Sequence, residues 1–138
     1  MSLVIITLME AYIIETLRAD GLSDDEIMQV AESRRVEPYA SSHEQLDFTY
    51  LYRLWKTGTL LRALQEGYTI TYITFPGLVN LLRLKFNKVV DKHYQLEHYT
   101  IVKLQLSEAE LLSVRQMLSS NWCLSKDNNG WTICPVTA

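Results

Sequence analysis

The sequence is short of the residues from which the most recognisable sites are built. Its 138 residues include two cysteines, three histidines and five glycines. His43, His93, His98, Cys123 and Cys134 are the candidate metal ligands. None falls in a Cys-x-x-Cys, His-x-x-x-His or His-Glu-x-x-His spacing, the spacings that let a short segment chelate a metal. No metal site is expected. A phosphate-cradling loop needs several glycines, so that backbone amides can approach the anion, and usually a Lys or Ser/Thr directly after them. The stretch "TITYITFPGLVNLLRLKF", residues 69 to 86, has the strand-turn-helix order of such a loop but one glycine, no following lysine and a proline that lacks an amide. Pro76 fits better as a first-turn helix residue, where its missing N–H costs nothing. No cofactor is expected.

Long apolar runs and an excess of positive charge are missing as well. "MSLVIITLMEAYIIETL" is interrupted by Glu10 and has no basic leader, which fits neither a signal peptide nor a membrane span. With two cysteines and no export signal, the expected location is cytoplasmic, with no membrane partner. A net charge of −3 gives no general attraction to nucleic acid or to an anionic membrane.

What is present suits a globular chain. A content of 48% hydrophobic and 21% charged residues, with three Trp, eight Tyr and three Phe, is enough for a core without staples, and residues 1–138 are expected to form one domain. Ile6, Met9, Ile13, Ile14 and Leu17 recur at helical spacing and predict a first helix that stops at Asp20-Gly21. Ser23 and Glu26 form a capping box for a second helix, with Ile27, Val30 and Ala31 inward. Ser42 with Gln45 predicts a third, carrying Phe48, Leu51, Tyr52 and Trp55. Gly58 breaks it, and "TLLRALQEG" continues to Gly67. "YTITYIT" reads as a strand, residues 76–90 as a helix, "YTIVKLQL" (99–106) as a second strand, and Ser107 with Glu110 as another capping box.

The chain closes as "NWCLSKDNNGWTICPV", two strand-like runs about an Asn-Asn-Gly turn. Trp122, Leu124, Trp131 and Ile133 share one face, expected to be core. Cys123 and Cys134 are mirror-related about Asn128-Asn129, which sets them directly opposite, with Ser125 and Thr132 on their face. That register would bring them close enough to oxidise, although cross-strand disulfides are usually strained and a reducing cytoplasm favours two small thiols packed against the rest of the domain. The predicted class is α+β: a helical N-terminal half packed on a small, mostly antiparallel sheet that ends in a C-terminal β-hairpin.

Three patterns bear on function. "IIETLRADGLSDDEIMQV" resembles a helix-turn-helix in spacing, but its second helix would present Asp24, Asp25 and Glu32 to DNA phosphates, which favours a plain helical hairpin. The helix after Pro76 is apolar nearly all round, as in a central core helix. Charge is also uneven along the chain. Residues 1–66 hold eleven acids and six bases, a net of −5, whereas residues 67–105 hold five bases and two acids, a net of +3. Arg83, Lys85, Lys88, Lys92 and Lys103, with Tyr94 and Tyr99 nearby, are therefore the candidate nucleic-acid-binding residues.

No Gly-x-Ser-x-Gly, carboxylate pair or Ser-Lys arrangement stands out, and no catalytic residue is assigned. The high load of Tyr, Trp and Leu, residue types common in cores and, for Tyr and Trp, at interfaces, favours a non-catalytic module that binds another protein or itself. Val4, Ile5, Leu8 and Tyr12, on a segment apolar on more than one side, are its candidate partner-binding residues. A nucleic-acid-binding regulator using residues 83–103 is the alternative.

Overall fold

Apolar patterning and caps build an α+β fold, seen in a computed structural model that describes residues 3–37 and 46–136. In chain order the elements are β1 (Val4–Ile6), α1 (Leu8–Ala19), α2 (Asp24–Ser33), α3 (Thr49–Lys56), α4 (Thr59–Glu66), β2 (Tyr68–Ile70), α5 (Phe75–Phe86), β3 (Gln95–Glu97), β4 (Thr100–Leu104), α6 (Glu108–Met117), β5 (Trp122–Asp127) and β6 (Gly130–Pro135). The helices lie mainly in the N-terminal half. β1 and β2 form a two-stranded parallel pair, and the other strands form an antiparallel sheet in the order β3-β4-β6-β5. No helix among the described residues is long and apolar enough to cross a membrane.

The start of the chain departs from the single helix that its spacing predicts. Val4, Ile5 and Ile6 form a strand, because three consecutive β-branched residues favour extended backbone and alternate between the core and solvent. The helix begins only after Thr7, whose hydroxyl accepts from the Glu10 amide while the Glu10 carboxylate accepts from the Thr7 amide. This capping box falls inside the apolar run and interrupts the expected stripe at Ile6. The boxes at Ser23–Glu26 and Ser107–Glu110 form as predicted. The Ser42–Gln45 cap lies outside the described residues; α3 starts at Thr49, whose amide and hydroxyl both donate to the Asp47 carboxylate.

β2 is shorter than the seven-residue strand expected. Beyond Thr71 the backbone leaves the sheet for side-chain partners: the Ile73 amide donates to Ser119 Oγ at 3.0 Å, and its carbonyl accepts from Trp122 Nε1 at 2.7 Å and Asn121 Nδ2 at 3.0 Å. A polar knot at Ile73 thus joins the helical half to the sheet. Buried side chains from both halves, including Ile13, Leu17, Leu78 and Leu81 on one side and Ile101, Leu104, Val114 and Ile133 on the other, belong to one cluster. α5 ends at Phe86, earlier than residue 90, because Asn87 takes a left-handed φ of 57° that stops the helix.

The C-terminal hairpin has the expected register. Cys123 faces Cys134 and Leu124 faces Ile133, and Trp122 and Ile133 are buried. A second hairpin, β3–β4, carries no Asn-Gly signal and is not apparent from the sequence. Its two turn residues, His98 and Tyr99, take left-handed φ values of 48° and 62°, where Asn-Gly is the usual choice.

Gly130 has a φ of 135°, and a Cβ there would lie 2.9 Å from the Leu104 carbonyl oxygen and 2.7 Å from Gln105 Nε2. Gly130→Ala should therefore lower stability in urea titration by roughly 2 kcal/mol or more. Gly21→Ala, with a φ of 99° and nothing within 4 Å, should carry only the backbone strain and lose less.

Candidate functional site

The Pro-Gly turn packs helices together and has few amides left for a phosphate. Thr74 caps α5 by accepting from the Gly77 amide at 3.0 Å, the Leu78 amide is taken by the Thr74 carbonyl, and Pro76 has no donor. A Cβ on Gly77 would lie 2.7 Å from Leu8 Cδ2 and 3.1 Å from the Tyr12 hydroxyl. The missing side chain is what lets α1 and α5 approach so closely.

Further along the same two helices the surfaces part and leave an open groove of about 280 Å³. Met9, Tyr12 and Thr16 line it from α1, Asn80, Arg83 and Leu84 from α5, and Leu46 from the segment before α3. Asn80 Nδ2 donates to the Tyr12 hydroxyl at 3.4 Å, which fixes the phenol at the wall. The groove therefore joins apolar walls to one guanidinium and one amide. A guanidinium presents two parallel N–H donors that match a carboxylate, and here it adjoins apolar surface. The thioether of Met9 adapts to differently shaped occupants.

The candidate partner-binding residues divide between this groove and the strand at the start of the chain. Tyr12 lines the groove, and Leu8 packs beneath it against Gly77. Val4 and Ile5 lie on β1 instead of on a helix: Val4 is buried and Ile5 is 67% exposed on the opposite face. The four residues therefore do not share one surface.

The basic segment is also divided. Arg83 lies in the groove, Lys88 pairs with Glu110 at 3.4 Å, and Lys92 and Lys103 share a shallow cleft with Tyr94. Lys85 turns inward to a cluster that sequence reasoning misses. Glu15, only 2% exposed, accepts at a single oxygen, Oε2, from Lys85 Nζ at 2.9 Å, from Arg18 Nη1 at 3.2 Å and from the Tyr68 hydroxyl. Arg18 continues to the Leu64 carbonyl at 3.1 Å and to Asp24 at 3.3 Å. Lys85 Nζ also lies 4.6 Å from the Tyr68 ring centre. The signal in the sequence is weak: Glu15 and Lys85 each fall among apolar residues, but α1 also carries Glu10 and Arg18 and α5 also carries Arg83. Three donors from α1, β2 and α5 thus converge on this one oxygen. Among the described residues, no group of three or more His, Cys, Asp or Glu is arranged to hold a metal ion, and His43 lies outside them.

Burial raises the Tyr68 hydroxyl well above its ordinary value of 10.0, and the Glu15 charge and hydrogen bond raise it further. The unfolded chain therefore ionises Tyr68 near pH 10 while the folded chain keeps it neutral, so stability falls as pH rises above 10. Tyr68→Phe should flatten that decline in urea titrations run at pH 9 to 11. Lys85→Met leaves Glu15 with less compensation in a dry site and should lose about 3 kcal/mol. Lys88→Met, whose partner can rehydrate, should lose under about 1 kcal/mol in the same titration.

No protein-family model, curated protein or solved structure matches the chain, so the reading of this groove rests on its own geometry and chemistry.

Proposed function

We propose that the chain is a non-catalytic interaction module that takes an apolar side chain and a neighbouring carboxylate of a partner protein into the α1–α5 groove. The observation that carries this reading is the meeting of Met9, Tyr12 and Leu84 with Asn80 and Arg83 in one open cavity of about 280 Å³. That is room for one or two side chains, and it lies just below the roughly 300–1,000 Å³ of small-molecule sites. Among the described residues Arg83 pairs with no carboxylate, so its charge is available to a partner. Exposed Tyr72 and Tyr99 add aromatic surface elsewhere on the chain, of the kind that interfaces favour. A cytoplasmic setting belongs to the same proposal. A second copy of the chain is the other occupant to be tested.

The alternative is a nucleic-acid-binding regulator, supported by the exposed Lys92 and Lys103 in one cleft, although Tyr94 beside them is buried and offers no ring face for stacking. Lys85 and Lys88 contribute less to it, because each already has a carboxylate partner.

Immobilised protein exposed to nuclease-treated lysate of the producing cells, washed at low and high salt, separates the two readings. The interaction module predicts a stoichiometric protein that survives nuclease and high salt. Met9→Asp should abolish its capture and Arg83→Glu should weaken it at least tenfold, both with an unchanged Tm. A band of the chain's own mass, with concentration-dependent sedimentation, would assign self-association. Nucleic acid recovered without nuclease, released by salt and lost on charge reversal at Lys92 and Lys103 with Met9→Asp inert, would replace the first reading by the second.

A further inference from the structure

The outer face of the C-terminal hairpin carries a pair of groups that the groove does not use. Cys123 on β5 and Cys134 on β6 occupy one rung of the ladder. Two residues outward, the Asn121–Val136 rung is closed by the Val136 amide donating to the Asn121 carbonyl at 2.9 Å. Rungs alternate along an antiparallel pair, so the cysteine rung is of the same hydrogen-bonded kind, with an α-carbon separation of about 5.5 Å. A disulfide spans that separation without moving the backbone apart. The two sulfurs lie 2.7 Å from each other, so no side chain intervenes. Cys123 is exposed and Cys134 half-buried, which leaves the pair open to a small reagent from solvent.

We propose that Cys123 and Cys134 form a redox modification site, oxidised reversibly to an intramolecular disulfide by low-molecular-weight disulfides of the glutathione class. The Cys123 thiolate attacks one sulfur of oxidised glutathione, forming a Cys123–glutathione mixed disulfide and expelling one glutathione thiolate. Cys134 loses its proton and attacks the Cys123 sulfur, forming the Cys123–Cys134 bond and expelling the second glutathione. The two cysteine protons end on the two glutathione thiols, and the two electrons reduce oxidised glutathione.

Geometry and charge favour this order of attack. The hydrogen bond to Cys123, then burial and the Cys123 charge, hold the Cys134 thiol above its ordinary value. Cys134 therefore keeps its proton while the more exposed sulfur makes the first attack. Exposed disulfides are among the more readily reduced, which suits a bond that forms and breaks with the glutathione poise. β6 is an inner strand of the sheet, between β4 and β5, so the bond ties the sheet's edge to its centre.

The test uses the folded full chain, equilibrated in buffers of graded oxidised-to-reduced glutathione ratio, quenched with an alkylating reagent and weighed intact. The expected product is a monomer lighter by two hydrogens that takes up no alkyl group, and its Tm should rise by about 5 °C and fall back on reduction. Cys134→Ser should stop at a stable mixed disulfide on Cys123, and Cys123→Ser should prevent the intramolecular product. Urea titration of both variants in reducing buffer, expected to give the parent's midpoint, confirms that the hairpin is intact. Two alkyl groups on the native chain across every ratio that oxidises a free dithiol would overturn the proposal. So would a mixed disulfide that Cys134 never resolves, or a disulfide-linked dimer.

Discussion

One oxygen of one carboxylate organises the helical half. Glu15 Oε2 on α1 receives Lys85 of α5, Tyr68 of β2 and its own neighbour Arg18, and Arg18 reaches on to α4 and α2. Hydrophobic burial alone would not orient these elements, because it is proportional to area and has no direction. α1 and α5 are apolar around most of their circumference, so many rotations about the helix axes would bury similar area. A rotation that buried Glu15 away from Lys85 would leave it Arg18 of its own helix as the one cation in contact. The ion pair thereby selects among packings that the apolar residues leave nearly equivalent.

The groove follows from that choice. Tyr12 and Thr16 lie three residues before and one residue after Glu15, and Asn80, Arg83 and Leu84 lie within five residues of Lys85. Once the charged pair sets the rotation, these side chains must converge on one side of the α1–α5 contact. Gly77 sets how closely the helices cross, because Leu8 and the Tyr12 hydroxyl fill the space a Cβ would take. The groove opens where that contact ends. At the far end of the helical half, the Ile73 backbone is held by Ser119, Asn121 and Trp122, so the antiparallel sheet is attached through directional hydrogen bonds as well as through the shared core.

Local signals in the sequence were legible wherever structure is decided locally. The capping boxes at Ser23 and Ser107, the breaks at Gly58 and Gly67 and the register of the β5–β6 hairpin all depend on residues within a few positions of one another. The N-terminal strand was not legible. The β-branched run Val4–Ile6 favours extended backbone, but the Tyr68–Ile70 strand it pairs with lies more than sixty positions away. The β3–β4 hairpin escaped for another reason: tertiary contacts, including the Tyr99 ring set edge-on to Phe75 at 5.5 Å, accompany left-handed conformations at His98 and Tyr99 that neither residue favours. As for the site, its parts were visible as separate patches, but the basic segment reads as one stripe only until Lys85 turns inward and Lys88 finds Glu110.

The same division explains why a charged cluster and a candidate binding groove can sit back to back without sharing a task. In the cluster one oxygen meets three donors, an arrangement that stiffens a core and leaves that oxygen occupied. In the groove the balance is reversed: Arg83 has donors and no carboxylate among the described residues, and Met9 and Leu84 have apolar surface that nothing described covers fully. Spare donors beside spare apolar area give a partner both a directional contact and a desolvated one. Interfaces draw their strongest contacts from that combination. The satisfied site holds the helices at a fixed angle, and the unsatisfied one lies on the surface that angle creates.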